Sequence, residues 1–390
     1  MVFAGQRYYD INQIMLTKIG LWPYQKPSIL QTVFILSALI LFILSQFAVF
    51  LTTECDFIDV INIFSYTLPC FVYLILYNCF YFNINEIKQL LEQIKMDWNI
   101  VEYSEMQILE KYAVGSRIIS LILVYVLIFS GTILITVETL PIILDIIAPM
   151  NVSRPRKIVV DLEIFLDQQQ YFYVYLIYEI VPVLIGFLTV TAVGSLLLAF
   201  LTHSCAIYKI ASNLIGNIVT KQTLEIPADQ KAREMYRRIT RAVFMQRKAI
   251  QFTKFLMNSV DKWFFVLMVV GVLSLSCNLL RFLITITMLK ELSDAILCGG
   301  LVCCHFGMLF ISNFIGQFVM DHSTEIFTAV CNITWYLAPL QIQKLLLFVM
   351  QYSLKANRIM LGGIFVASLE GFSSLTTTSI SYFTVLYSTL

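Results

Sequence analysis

The sequence has little charge and few of the residues on which catalysis depends. Only 13% of its 390 residues are charged and 59% are hydrophobic, whereas soluble domains average about 25% and about 45–50%. The net charge of +1 offers no basic surface for nucleic acid. The three histidines are scattered, and the chain has neither a nucleophile elbow nor a phosphate-binding loop. We therefore expect an integral membrane protein that is not an enzyme and has no nucleic-acid partner.

The cysteines also lack the spacing that metal and redox sites need. The chain has nine, an odd number, and no Cys-x-x-Cys pair. Most of them lie in apolar stretches, where cysteine packs as a small hydrophobic residue. The sequence therefore predicts no metal and no cofactor.

What the chain does have is a series of long apolar segments. A membrane-spanning helix needs about 20 such residues. Seven segments qualify, at about 29–51, 60–82, 117–137, 171–201, 263–288, 294–318 and 360–388. The predicted fold is an all-α integral membrane protein with seven transmembrane helices.

The distribution of positive charge predicts the direction of these helices. The N-terminal segment and the regions of the second, fourth and sixth connections hold 21 Lys and Arg residues, and the alternating regions, with Arg281 of the fifth span included, hold 5. Positive loops stay in the cytoplasm, so the N-terminus is predicted to be cytoplasmic and the C-terminus extracellular. Asn151 begins an Asn-x-Ser triplet in a predicted outer loop and is a candidate glycosylation site.

Two of the predicted cytoplasmic connections are helical in pattern. Residues 227–262 contain no glycine and are expected to run as one helix into the fifth span. Their basic face suits either the anionic inner leaflet or plain solvent. Residues 322–354 are amphipathic and broken at Pro339, and their apolar patch must be covered by other helices, a neighbouring subunit or the bilayer. A helical platform suited to oligomerisation is the simplest interpretation.

The outer halves of the second, third and fourth predicted spans combine aromatic rings with a few polar groups. Such walls suit a small, mostly apolar ligand held by burial. The residues predicted to contact it are Phe64, Thr67, Phe71, Gly131, Thr132, Tyr175, Tyr178 and Glu179. An ionisable group such as Glu179 is costly within a membrane and is a functional candidate, but structural pairing with a tyrosine or a backbone donor accounts for it equally well.

The last apolar segment differs in kind because it is rich in hydroxyl groups. From Ser368 to Leu390, eleven of 23 residues are Ser or Thr. On a helical wheel, Val385 is the one bulky apolar residue in the middle of a polar stripe. The stripe contains Ser374, Thr378, Ser381 and Thr389. A water-filled pore with a hydrophobic gate has this pattern, although close packing by small residues is the alternative.

The closing part of the chain also resembles the insect odorant receptor family. The similarity lies in Trp335-Tyr336, the amphipathic stretch 344–347, Gly363-Ile364-Phe365, and the segment 381–386, Ser-Tyr-Phe-Thr-Val-Leu. The family closes with a Gly-x-Phe segment followed by Ser/Thr-Tyr-Phe-x-x-Leu.

That resemblance implies an odorant-gated, non-selective cation channel in the plasma membrane of sensory neurons. It implies a tetramer formed with a common co-receptor subunit, a small volatile ligand, contact with membrane lipids, and monovalent and divalent cations as permeants. Residues 1–318 would sense the ligand, 319–358 would anchor the subunits, and 359–390 would line the pore. The gate would include Val385 and Thr389. The hydroxyl at Thr389 and the absence of a long cytoplasmic insertion favour a tuning subunit.

Two other functions fit the sequence less well. A gustatory-type receptor of the same superfamily would close on a Thr-Tyr … Gln-Phe pattern, which this chain lacks. A secondary transporter would show internal repeats or paired broken spans, and neither is visible.

Overall fold

Long helices build almost the whole molecule. The computed structural model describes residues 5–26, 28–148, 158–289 and 292–388. The helices are α1 (Asp10–Lys18), α2 (Ile29–Thr52), α3 (Phe57–Phe82), α4 (Ile84–Ile100), α5 (Tyr103–Ile147), α6 (Phe172–Gly216), α7 (Lys221–Glu225), α8 (Ala228–Ile284), α9 (Leu292–Asn332), α10 (Leu340–Ser353) and α11 (Leu369–Tyr387). Single turns of tighter helix lie at Gln6–Tyr8 and Trp335–Leu337, and a π-helical turn, Thr285–Leu289, follows α8. The all-α prediction is confirmed.

Within the described part of the chain, six helices are long and apolar enough to cross a membrane: α2, α3, α5, α6, α8 and α9. Several are longer than a bilayer requires. α8 has 57 residues, or about 85 Å at 1.5 Å per residue, against a hydrocarbon core of about 30 Å. The predicted continuous helix from residue 227 into the fifth span is confirmed, because Pro227 caps α8 and the helix runs unbroken from Ala228.

The extended parts of these helices meet at one end of the bundle. That end, called here the α10 end, contains α4, α10, the first halves of α5 and α8, and the second halves of α6 and α9. Ion pairs join its members: Arg241 Nη2 lies 2.5 Å from Glu105 Oε2, and Lys209 Nζ lies 2.6 Å from Glu325 Oε2. α6 runs through the centre of the main hydrophobic core. The opposite end, called the loop end, holds the α2–α3 connection and residues 158–171.

The predicted start of the last span is wrong. Residues 360–366 form a small antiparallel hairpin, β1 (Met360–Leu361) and β2 (Phe365–Val366), in place of helix. Gly362 and Gly363, with φ of +60° and +68°, make its turn, a conformation that side chains disfavour. α11 begins only at Leu369, where the Ser368 hydroxyl caps it by accepting the Gly371 N–H at 3.0 Å.

The amphipathic region after the sixth span is mostly helical, as predicted. α9 continues to Asn332 without a break at residue 318, so the predicted domain boundary falls inside one helix. α10 begins directly after Pro339. Its Leu346 and Val349 are buried against the bundle, whereas Leu347 and Phe348 are exposed on this single chain.

Candidate ligand and pore sites

Aromatic rings and one amide–hydroxyl pair fill the interface between α2 and α3. The Phe64 ring centroid lies 6.2 Å from that of Phe47, and the Phe71 centroid lies 6.3 Å from the same ring. Thr67 is buried and donates to Gln46 Oε1 at 2.6 Å and to the Ile63 carbonyl at 2.8 Å. Phe64, Thr67 and Phe71 are thereby brought together, with Gln46 and Phe47 of α2 as their partners.

Tyr178 and Glu179 extend this group onto α6. The Tyr178 ring lies 6.1 Å from the Phe42 ring of α2. Phe42 precedes Gln46 by four residues, or about one helical turn. The α2 face that holds Thr67 therefore also holds Tyr178, and the group spans three helices.

The most unusual feature of this region is a pair of carboxyl groups. Glu179 is fully buried, and Glu138 of α5, which is 2% exposed, lies beside it. Among the described residues no side chain outside the pair donates an aligned hydrogen bond to either carboxyl group, although the backbone of Val160 lies close to Glu179. Two adjacent carboxylates repel each other in a low dielectric, so the pair is tolerated when the two share a proton or when a cation lies between them.

The other three predicted ligand residues lie elsewhere. Gly131 is buried where α5 meets α6, and a Cβ at this position would lie 3.2 Å from Leu184 Cδ2. Thr132 is exposed on the surface of α5 and donates to the Phe129 carbonyl. Tyr175 donates to the Leu166 carbonyl at 2.9 Å and belongs to a separate small core at the loop end. The structure does not bring these three together with the α2–α3 group.

Two cavities lie at the α10 end, away from these residues. One is lined by Tyr8, Thr202 and His203 among others, and its free volume of about 10 Å³ holds about one water molecule. The second lies beside Asp97 and Lys248 and is equally small, at about 10 Å³. Both are far smaller than the roughly 300–1,000 Å³ typical of ligand sites, and sequence reasoning did not predict them.

The hydroxyl stripe of α11 lies on the surface of this chain. Ser374, Thr378, Ser381 and Val385 are all exposed, and Val385 retains 62% of its accessible surface. Thr389 lies outside the described residues, as does Asn151. Four of the five residues predicted for the pore and gate therefore share the exposed face of one helix.

The opposite face of α11 holds the helix to the bundle. Leu375 and Ser379 are buried, and the Ser379 carbonyl accepts the Ser276 hydroxyl of α8 at 3.0 Å. Phe372 stacks edge to face on Phe310 of α9 at 5.4 Å. Small-residue packing thus accounts for Ser379, whereas no described residue covers the exposed stripe.

The hydroxyls of the stripe donate to their own helix. Thr378 donates to the Ser374 carbonyl at 2.8 Å, and Ser381 donates to the Thr377 carbonyl at 2.9 Å. A hydroxyl that donates inward keeps its oxygen lone pairs for an outside partner. The exposed face of α11 consequently offers acceptors, which suit water and cations.

Sequence reasoning missed some of the polar residues that the structure places inside the bundle. Glu138 sits in the apolar stretch Thr-Val-Glu-Thr-Leu-Pro, and Gln46 sits within the first span. A lone polar residue in an apolar segment is the signal that could have identified both. The partner of Glu138 could not be predicted from the sequence, because Glu138 and Glu179 are 41 positions apart on different helices.

These elements define a helical protein that crosses the membrane several times, with a polar-lined interior and a hydroxyl-rich last helix. The family model described as 7tm Odorant receptor matches residues 56–380. The chain belongs to this family, and it is a receptor and not an enzyme.

Two solved structures share the fold. The insect olfactory receptor OR5 from Machilis hrabei in complex with eugenol is 14% identical, with a TM-score of 0.77 over 99% of this chain and 98% of that one. A second structure of the same receptor is 12% identical, with a TM-score of 0.73 over 98% of this chain and 96% of that one. At such identities the likeness shows the fold alone. No curated protein matches the sequence.

Proposed function

We propose that this chain is a tuning subunit of an odorant-gated, non-selective cation channel, with its N-terminus in the cytoplasm and its C-terminus outside. The observation that carries the proposal is the exposed face of α11. Acceptor hydroxyls follow one another along it, and Val385 is exposed among them. A helix that leaves its polar stripe uncovered in one chain suits a pore enclosed by several chains.

Assembly with a co-receptor subunit is part of this proposal. One α11 cannot enclose a pore, so further subunits must supply the other walls. The exposed apolar side chains of α10, Leu347 and Phe348, offer a contact area at the α10 end. The 21-to-5 distribution of positive residues supports a cytoplasmic location for that end. The plasma membrane of sensory neurons is the proposed site of action.

The ligand is proposed to be a small, mostly apolar volatile compound bound in the outer half of the bundle. The aromatic group of Phe64, Phe71 and Tyr178, with Thr67 and Glu179 as polar members, supports this location. The eugenol complex of the Machilis receptor supports a volatile ligand for this fold. Binding opens the pore only if the ligand binds the open state more tightly than the closed state.

Recording of membrane currents tests the proposal. Cells that express this chain with an insect odorant co-receptor should give cation currents when screened with volatile compounds, and mock-transfected cells and cells with either subunit alone are the controls. The reversal potential should follow the cation gradients. Substrate flux without a cation-dependent reversal potential would instead support a transporter and contradict the proposal.

A further inference from the structure

A buried arginine lies inside the bundle without a carboxylate partner. Arg281 of α8 is 8% exposed. Its Nη1 donates to the Ser65 hydroxyl of α3 at 3.0 Å, and its Cζ lies 4.0 Å from the Tyr66 ring centroid. No described carboxylate lies within ion-pair distance of it. A guanidinium has five N–H donors, and the described residues accept a hydrogen bond from only one.

Two neighbouring side chains also have unpartnered polar atoms. Asn278 is fully buried and donates to the Ser65 and Ser274 carbonyls, but its Oδ1 has no described hydrogen-bond partner. The Tyr66 hydroxyl lies close to the Arg281 guanidinium without an aligned hydrogen bond. Unsatisfied polar atoms on two buried side chains, beside a guanidinium with one described acceptor, are rare in a folded interior and indicate a missing partner.

The depth of this cluster in the bundle makes an unpartnered charge costly. Ser65 lies eight residues after the start of α3, or about 12 Å along the helix. An uncompensated charge at that depth is expensive in a membrane. The π-face of Tyr66 offsets part of the cost, because the negative face of an aromatic ring attracts a cation.

The same cluster adjoins the pore helix. Leu280 and Ile284, which lie on either side of Arg281 in α8, are buried with Ile61 of α3. Phe383 and Leu386 of α11 pack directly against them. A ligand that shifts Arg281 would therefore also displace Leu280 and Ile284, which contact the gate segment of α11.

We propose that Arg281 and Tyr66, with the Ser65 hydroxyl holding the guanidinium in place, form a subsite that binds the carbonyl or carboxylate oxygen of a volatile ligand. A guanidinium only donates and is positively charged, so it selects an acceptor and rejects a protonated amine. The subsite rests on the proposed function, in which a volatile compound enters the outer half of the bundle. It adds the class of ligand: an apolar chain that carries an acceptor oxygen.

The test compares probes that share a carbon skeleton. Octane, methyl hexyl ketone and octanoate are added to the purified full-length receptor, and thermal unfolding is followed. The ketone and the carboxylate should stabilise the wild type more than octane does, with an apparent affinity at least about tenfold higher, because a hydrogen bond to a charged group is worth more than a tenfold change in affinity. Equal stabilisation by all three probes contradicts the subsite.

Variants connect the preference to the cluster. Arg281→Met should abolish the difference between ketone and octane, whereas Arg247→Met, at an exposed arginine of the same helix, should leave it unchanged. Tyr66→Phe provides a second variant, expected to weaken the ketone preference and not octane binding, if Arg281→Met does not fold. Equal loss of octane and ketone binding in either variant would show a structural role and overturn the proposal.

Two further outcomes distinguish this subsite from an inorganic anion site and from the proposed channel function. If chloride stabilises the wild type as much as octanoate does, the occupant is an inorganic anion and the proposed ligand is wrong. If the ketone preference is observed but no compound evokes current with the co-receptor, the subsite stands and the proposed channel function fails. If compounds evoke currents but the ketone preference is absent, the proposed channel function stands and the subsite fails.

Discussion

Glu138 of α5 and Glu179 of α6 lie side by side in the interior of the bundle, and no described side chain outside the pair donates an aligned hydrogen bond to either carboxyl group. Pairs of this kind are usually accompanied by a lysine, an arginine or a metal ion. Here Asp161 brings a third acid near Glu179, and Gln46 and Thr67, which hydrogen-bond to each other, carry no charge. The two acids must therefore share a proton or hold a cation.

We expect Glu179→Gln to leave the receptor as stable as the wild type or more stable. The amide is close in size to the carboxyl group, carries no charge and donates a hydrogen bond to Glu138, which removes the repulsion. A gain of up to about 1 kcal/mol in the free energy of unfolding is reasonable for one new hydrogen bond. Thermal unfolding of the purified chain measures it, with the exposed Glu370→Gln as the control. A loss of more than about 1 kcal/mol would show that a bound cation holds the pair.

The helices of this fold could be predicted from the chain because each depends on local information. Apolar length identifies α2, α3, α5, α6, α8 and α9, and the glycine-free stretch after Pro227 predicts the extension of α8. The start of α11 was predicted wrongly because hydropathy averages over the stretch 360–368. The two glycines and the Ser368 cap in that stretch are the local signals of a turn followed by a helix.

The polar interior could be predicted only in part, because its contacts join residues far apart in the chain. Glu179 stands out in the sequence as an ionisable residue in a span. Glu138 and Arg281 stand out in the same way, but nothing local indicates that one meets another acid and the other meets Ser65, 216 positions away. Pairing across helices depends on rotation and register, which hydrophobic length does not determine.

Val385 is the residue on which we expect gating to depend most directly. A serine at this position would wet the narrow part of the pore and raise the current in the absence of ligand, because a hydrophobic constriction blocks ions by excluding water. Whole-cell currents with the co-receptor measure this baseline. Ile380→Ser, on another side of α11, should change it far less. A baseline unchanged by Val385→Ser and by Val385→Phe would contradict the gate assignment.

The close approach of α9 to the chain before α11 predicts a sharp difference between two glycines of one helix. A Cβ at Gly316 would lie 2.3 Å from the Ala367 carbonyl oxygen, whereas a Cβ at Gly307 would meet no atom within 4 Å. Gly316→Ala should therefore cost about 1–3 kcal/mol of unfolding free energy, as overpacking does. Gly307→Ala should be neutral or stabilising by up to about 1 kcal/mol. Thermal unfolding of both purified variants measures the difference. Equal stabilities would show that α9 does not pack closely against the chain before α11.

At the α10 end, one buried carboxylate joins three helices. Asp97 of α4 has its Oδ2 2.9 Å from His203 Nε2 of α6 and its Oδ1 2.5 Å from Lys248 Nζ of α8. Asp97→Ala removes the carboxylate that His203 and Lys248 share. Breaking a fully buried ion pair in this way costs about 3–5 kcal/mol. The cost is smaller here because Lys248 reaches solvent. We expect a loss of about 2–3 kcal/mol in thermal unfolding, whereas Asp321→Ala at an exposed site should have little effect. If the double variant Asp97→Ala with Lys248→Met is no more stable than Asp97→Ala alone, the lysine contributes nothing to the cluster.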